Sequence, residues 1–326
     1  MGHAYTPGLT IAEYTVVRKV RRLPIPGEVL VQVGQRVRAD EVVAETQLPG
    51  EVWPIDLSGK LGVPPEELPR ILLKRVGESV RRGEVLARTR GLWGHFRREY
   101  RAPTDGTLES VSAVTGQMIL RGPPTLVRRL AYAAGTVVDV RPGESATVEI
   151  QGSLVQGIFG LGGEAVGVLR VAVGSPDDVL DEAGIRGEYA DNILVGGSLV
   201  TAAAIRAAAE VGVKGIVAGG VDDADLREVL GYELGVAVTG DETLGVTIVV
   251  TEGFGRIPMA PRTFELLRRR AGCLASMSGA TQIRAGVIRP EVIIPLSEAP
   301  RDAGRLVSEA GDLRVGARLR AIREPY

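Results

Sequence analysis

The sequence predicts an α+β protein of more than one domain: an all-β N-terminal region of duplicated hairpins, then a three-layer α/β domain with a mainly parallel sheet. Two observations carry this. The first is an internal repeat, which fixes the building unit before any element is assigned. VGQRVRADEVVAET at 33–46 returns as VGESVRRGEVLART at 76–89, agreeing at Val33/Val76, Gly34/Gly77, Val37/Val80, Arg38/Arg81, Glu41/Glu84, Val42/Val85, Ala44/Ala87 and Thr46/Thr89. The second is a change of period beyond residue 190, where short apolar runs alternate with amphipathic helical stretches. That alternation is the pattern of parallel strands joined by crossover helices.

Each repeat is a glycine turn, a valine, a polar turn and an apolar pair, which reads as a short hairpin with its apolar residues on one face. A second strand opened by a turn follows each copy: LPGEVWPID at 48–56 and APTDGTLESVSAVTGQMIL at 102–120. The layout V-x-x-G-x-x-V-x-x-G-x-x-[VL]-A, then A-P-x-x-G-x-[VL], resembles the hammerhead half-motif of biotinyl and lipoyl domains. It is also similar to the barrel-sandwich hybrid domain found in the Rnf electron-transport complex. Working carriers of that kind hold their cofactor on a lysine at the hairpin tip. Here the tip, TRGLWGHFRREYRAP at 89–103, has none; the lysines are Lys19, Lys60, Lys74 and Lys214. The resemblance therefore implies the fold without biotin or lipoate, and a docking surface for a protein partner.

A length of 326 residues suits about two domains. Composition is that of a soluble globular chain, with no apolar run approaching the roughly 20 residues of a spanning helix, and a cytoplasmic protein with no membrane contact is expected. The single Cys273 excludes an internal disulfide, and with only His3 and His95 a His/Cys metal site has no ligand set. Thirty-nine basic against forty acidic side chains leave a net charge of −1, so no global attraction to nucleic acid is expected.

Taken in order, 10–124 is the duplicated region, 125–174 a β-rich bridge, 175–296 a Rossmann-like α/β domain, 297–313 a linker and 314–326 a lone strand. Residues 10–24 read as a strand lying over the first unit. The tip at 91–101 interleaves Trp93, Phe96 and Tyr100 with Arg97, Arg98 and Arg101, chemistry that can stack on bases and meet phosphates. The competing reading is that Trp93 and Phe96 cap the barrel while the arginines stay in water. GLGGE at 160–164 is read as a turn, because no helix follows it.

In the α/β region Ser198 is placed to N-cap a helix ending at Gly212, Asp222 to cap the next before Gly231, and Pro261 to start a third. Gly196, Gly197, Gly219, Gly220, Gly240 and Gly253 each follow the C-terminal end of a strand, the edge where open α/β sheets bind ligands. Ser198, Asp222, Thr239, Asp241, Glu252 and Arg256 are expected around it. They fit a small anion on bare helix N–H groups, or Mg²⁺ on the carboxylates if the protein is an enzyme. The last residues, LRVGARLRAIREPY, resemble the opening strand of a KOW-type β-barrel, with Gly316, Leu319, Arg320, Ile322, Pro325 and Tyr326 matching.

As a whole, 27–296 resembles a bacterial family that joins a hybrid-motif region, an α/β domain and a KOW-like end; the resemblance implies architecture and no activity. Two readings compete. One is a non-catalytic adaptor or ligand-binding scaffold. The other is an enzyme acting on a small anionic or nucleotide-like substrate at the glycine edge. The KOW-like end and the arginine-rich tip add a third, a transcription- or ribosome-associated factor that binds nucleic acid.

Overall fold

Up to Leu48 the chain lays down β1 (Ile11–Arg22), β2 (Glu28–Val29), β3 (Arg36–Val37) and β4 (Val42–Leu48). A second set follows: β5 (Val52–Asp56), α1 (Leu57–Leu61), a 3-10 turn running into α2 (Leu68–Ile71), β6 (Ser79–Val80), β7 (Val85–Arg88), β8 (Glu99–Arg101), β9 (Gly106–Val111) and β10 (Gln117–Arg121). The chain then returns through β11 (Thr125–Leu130), β12 (Gly135–Arg141) and β13 (Ser145–Gln156). The computed structural model describes residues 9–89, 97–231, 244–281 and 288–297. The protein is a mixed α+β chain, mostly strands, in several sheets.

The two copies of the repeat are nested, one inside the other. In the first, β4 pairs with β11 (Val42↔Leu130, Ala44↔Arg129, Glu45↔Arg128). In the second, β7 pairs with β8 (Val85↔Arg101, Ala87↔Tyr100, Arg88↔Glu99), with its irregularity at the same step. The match continues in β3 with β12 (Val37↔Gly135) and β6 with β9 (Val80↔Gly106). It extends to single bonds. The amides of Gly34 and Gly77, both at positive φ, donate to Val137 and Leu108 carbonyls at 2.7 Å. Glu41 and Glu84 accept from the amides of Arg38 and Arg81 at 3.1 and 2.9 Å.

The second half of the first unit is therefore AYAAGTVVDV at 131–140, the counterpart of APTDGTLESV at 102–111. LPGEVWPID at 48–56 plays another part than expected: its strand β5 joins β10 (Ile55↔Met118) inside the inner unit. The whole inner unit, Gly50 to Gly122, is carried between β4 and β11. At its neck the Gly122 amide donates to Glu51 and the Arg121 guanidinium to the Gly50 carbonyl, 2.8 and 3.2 Å. A Cβ on Gly50 would collide with the Gly122 backbone, so only glycine lets the two passages lie this close. The cores are separate. Leu57, Leu68, Leu86, Leu108, Met118 and Leu120 fill the inner unit, whereas Val43, Val137, Ala146, Val148 and Ile150 fill the outer one.

Beyond β13 come β14 (Phe159–Leu161), β15 (Glu164–Val171), β16 (Val179–Leu180), β17 (Asn192–Val195), β18 (Leu199–Val200), α3 (Ala202–Val211), β19 (Gly215–Val221), α4 (Asp223–Leu230), β20 (Thr247–Phe254), α5 (Pro261–Arg269), β21 (Leu274–Ser278) and β22 (Glu291–Pro295). β15, β17, β19 and β20 are mutually parallel. β14, β21 and β22 are antiparallel to their neighbours, so the sheet is mixed. Alternate residues face opposite sides: Leu194, Ile216 and Ile248 meet Ile205 of α3 and Leu226 of α4. Ile193, Val217 and Val249 meet Phe264 and Leu267 of α5.

Helix ends follow local chemistry. Asp222 accepts from the Ala224 amide, Pro261 opens α5, and Gly212 and Gly231 close α3 and α4 in the left-handed conformation. Ser198 does not cap α3. Leu199 and Val200 are extended in β18, and the cap is Thr201, whose hydroxyl accepts from the Ala204 amide. Residues 234–240, where Gly240 is expected to follow a strand, the tip residues 90–96, nearly all of the linker, and residues 314–326 lie outside the described residues.

One strand joins these parts. β13 pairs with β12 through Ser145–Glu149 and with β22 through Gly152–Gln156, while β1 accompanies it from Ser145 to Val155. At Gly152 a Cβ would collide with the Ile294 carbonyl.

Separate cores and a two-strand neck make a specific prediction. Residues 50–122 expressed alone should unfold cooperatively, and the chain with this unit replaced by a short turn should keep its own cooperative transition in urea. Loss of structure in both pieces would show that the units fold as one.

Candidate functional site

The glycine edge lies at the C-terminal ends of the parallel strands, and at Gly197, Gly219 and Gly220 it is covered by the chain itself. A Cβ on Gly197 would meet the backbone of Asp178 and Ser175, and one on Gly219 or Gly220 the backbone at Ile257 or Gly255. The Ser198 amide donates to the Asp178 carbonyl at 2.7 Å, and its hydroxyl to the Asp177 carbonyl at 2.7 Å. The Gly196 and Gly219 amides donate to Val217 and Gly197 carbonyls. Arg256 reaches the Ser198 hydroxyl and the Asp177 carbonyl, both at 3.4 Å. Glu252 accepts from the Ala260 amide at 3.0 Å, and Asp222 serves as the α4 cap. Gly253 sits at φ +151°, beside the Ile257 side chain.

Gly197, Ser198, Gly219, Gly220 and Arg256 are thus brought together, but the amides of Gly219 and Ser198 and the Ser198 hydroxyl bond within the protein. Asp178, beside them, is held below the usual carboxylate range by donors from the Ser175 hydroxyl and the Ser175 and Gly174 amides. Thr239, Gly240 and Asp241 lie outside the described residues.

At the inner tip, Arg98 reaches the Leu61 carbonyl at the end of α1 (3.3 Å), and Lys60 lies 5.9 Å from the centre of the Tyr100 ring. Arg88 and Arg101 share Glu99 at 2.8 and 2.9 Å. Burial raises the Tyr100 phenol pKa. Arg97 is exposed; Trp93 lies outside the described residues.

A third locus was not apparent from the sequence. It sits at the seam between the outer unit and the mixed sheet, at the opposite end of the parallel strands. Arg21 of β1 grips Glu164 of β15 through both guanidinium nitrogens (2.7 and 2.6 Å) and donates its Nε to the Leu130 carbonyl at 2.7 Å. Lys19 pairs with Glu291 of β22. Both cations lie over the Tyr132 ring, whose centre is 5.5 Å from the Arg21 guanidinium and 5.9 Å from the Lys19 ammonium. The Tyr132 hydroxyl donates to Glu291 at 3.2 Å.

Tyr132 is buried and has φ +78°, where a large side chain costs about 1–3 kcal/mol. Its counterpart in the inner unit is Pro103, which cannot take that conformation. The site is therefore a departure of the outer copy from the shared plan. Glu164, Ser278 and Glu291 are directly opposed on three neighbouring strands and so share a sheet face. Among the described residues, no group of three or more His, Cys, Asp or Glu is placed to hold a metal ion, and no helix is long and apolar enough to cross a membrane.

Comparison with protein-family models, curated proteins and solved structures finds no match for this chain.

Tyr132 gives a pH prediction. Burial first, then the charges of Glu291 and Glu164, push its phenol well above the usual value of 10.0. The unfolded chain loses this proton near pH ~10 while the folded chain keeps it, so stability is full below that pH and falls above it, by about 1.4 kcal/mol per pH unit. Urea midpoints from pH 9 to 11 should fall more steeply for the wild type than for Tyr132→Phe. Parallel curves would mean that the phenol titrates normally in the folded protein.

Proposed function

We propose that this protein is a non-catalytic scaffold that presents its inner unit to an acidic protein surface. The nested duplication carries this reading: the inner unit has its own core and hangs from the outer one by a two-strand neck. On this reading both units are barrel-sandwich hybrids of the hammerhead type, supported by the bond-for-bond correspondence of their pairings. The mixed sheet with helices on both faces is a three-layer α/β support.

A display role accounts for the chemistry at the inner tip. Arg97 and Arg101 are exposed, and the lysine that a carrier would modify is missing from 89–103. An exposed arginine contributes mostly to encounter rate and partner choice rather than to fold stability. The enzyme reading draws less support, because Gly219 and Ser198 direct their donors to the chain's own carbonyls.

The test uses the full chain and isolated 50–122 as bait in a lysate of the source organism. Both should retain the same protein, and the double variant Arg97→Glu/Arg101→Glu should lose it, with the bait at its unmodified mass. A partner that stays with a chain lacking 50–122 contradicts the reading.

A further inference from the structure

The seam that holds Arg21 and Glu164 also contains an open cleft of about 590 Å³. Its floor is the N-terminal end of the parallel strands, with Gly163 and Glu164 at the start of β15, Lys214 before β19 and Val246 before β20. Its other wall comes from the outer unit, through Ala39, Asp40 and Leu130. Clefts of a few hundred Å³ between two folded bodies, mainly apolar with a few polar groups, are where small ligands bind.

The charges in this cleft are already answered. Glu164 is gripped by Arg21 through both oxygens, Asp40 by Arg38 at 3.1 Å, and Lys214 is paired with Asp191 at 2.9 Å. The Thr247 hydroxyl donates to the Gly163 carbonyl at 3.3 Å. Each of these charges has a partner of opposite sign, and the Asp40 and Lys214 pairs are exposed, so the cleft offers a charged ligand no unpaired counter-charge. The remaining wall is apolar: Leu130, a large side chain 41% exposed, with Val166, Leu244 and Val246.

We propose that this seam cleft is a binding site for a small, uncharged, largely apolar organic molecule. Recognition is by shape and by burial of apolar surface. The site is independent of the inner unit, so it stands or falls apart from the scaffold reading.

Gly163 supplies the probe. Gly163 lines the cleft, a Cβ built there meets nothing within 4 Å, and its backbone is not in the left-handed region, so a side chain can be added at the cleft without strain. The neutral fluorophore N-phenyl-1-naphthylamine, titrated into the full chain, should bind one saturable site. Gly163→Phe should weaken it at least tenfold with an unchanged unfolding midpoint, and the anionic 8-anilinonaphthalene-1-sulfonate should bind at least tenfold more weakly. If Gly163→Phe does not fold, Leu130→Asp on the exposed wall should give the same loss. Absence of a saturable site, equal affinity in the folded variant, or preference for the sulfonate would overturn the proposal.

Discussion

The structure depends on β13 belonging to two bodies at once. Its first half closes the outer unit against β12 and its second half enters the mixed sheet beside β22, with β1 paired along it on its other edge. Ala146, Val148, Ile150 and Leu154 serve the outer core, and Val155 the core under α5. Backbone bonds, not a linker, therefore set the orientation of the outer unit on the sheet. β1 then carries Lys19 and Arg21 to carboxylates on β22 and β15. Exposed ion pairs add only about 0–1 kcal/mol, but the Arg21 side chain is 10% exposed and its forked grip fixes geometry. The shared strand places the seam, and the ion pairs hold its register.

The inner unit obeys the opposite logic. Between β4 and β11 it is joined to the outer unit by its neck, where two glycine-bearing passages touch. The same short hairpin that ends near Thr89 in the inner copy is extended in the outer copy to carry a whole domain. Loops and hairpin tips accept insertions because few native contacts cross them. One plan thus occurs twice, in a copy locked to the sheet and a copy with its own core joined by a neck.

Local chemistry was legible in the sequence. The repeat turns, the Asp222 cap, the Pro261 helix start, and the stops at Gly212 and Gly231 each depend on residues a few positions apart. Pairings that depend on long-range closure were not legible. Only Ala, Gly, Thr and Val identities link 131–140 to 102–111, too few to outweigh the nearer LPGEVWPID. Ser198 matched the chemistry of a cap, but Leu199 and Val200 pair with β16 and β19 as a strand, so the cap falls three residues on, at Thr201. The glycines at the strand ends allow close approach of any backbone, and the sequence does not say whether that backbone is a ligand's neighbour or the chain's own. The seam was invisible because Arg21 and Glu164 are 143 residues apart.

One strand couples the outer unit to the mixed sheet, while the inner unit stands apart with its own core. Native-state hydrogen exchange of the full chain in rising urea tests this arrangement most directly. Amides of β13 on both sides of Gly152, at 145–149 and 152–156, should lose protection together in one opening, while those of β9 and β10 follow their own dependence. Separate openings for the two halves of β13, or a single opening shared with β9 and β10, would contradict the account.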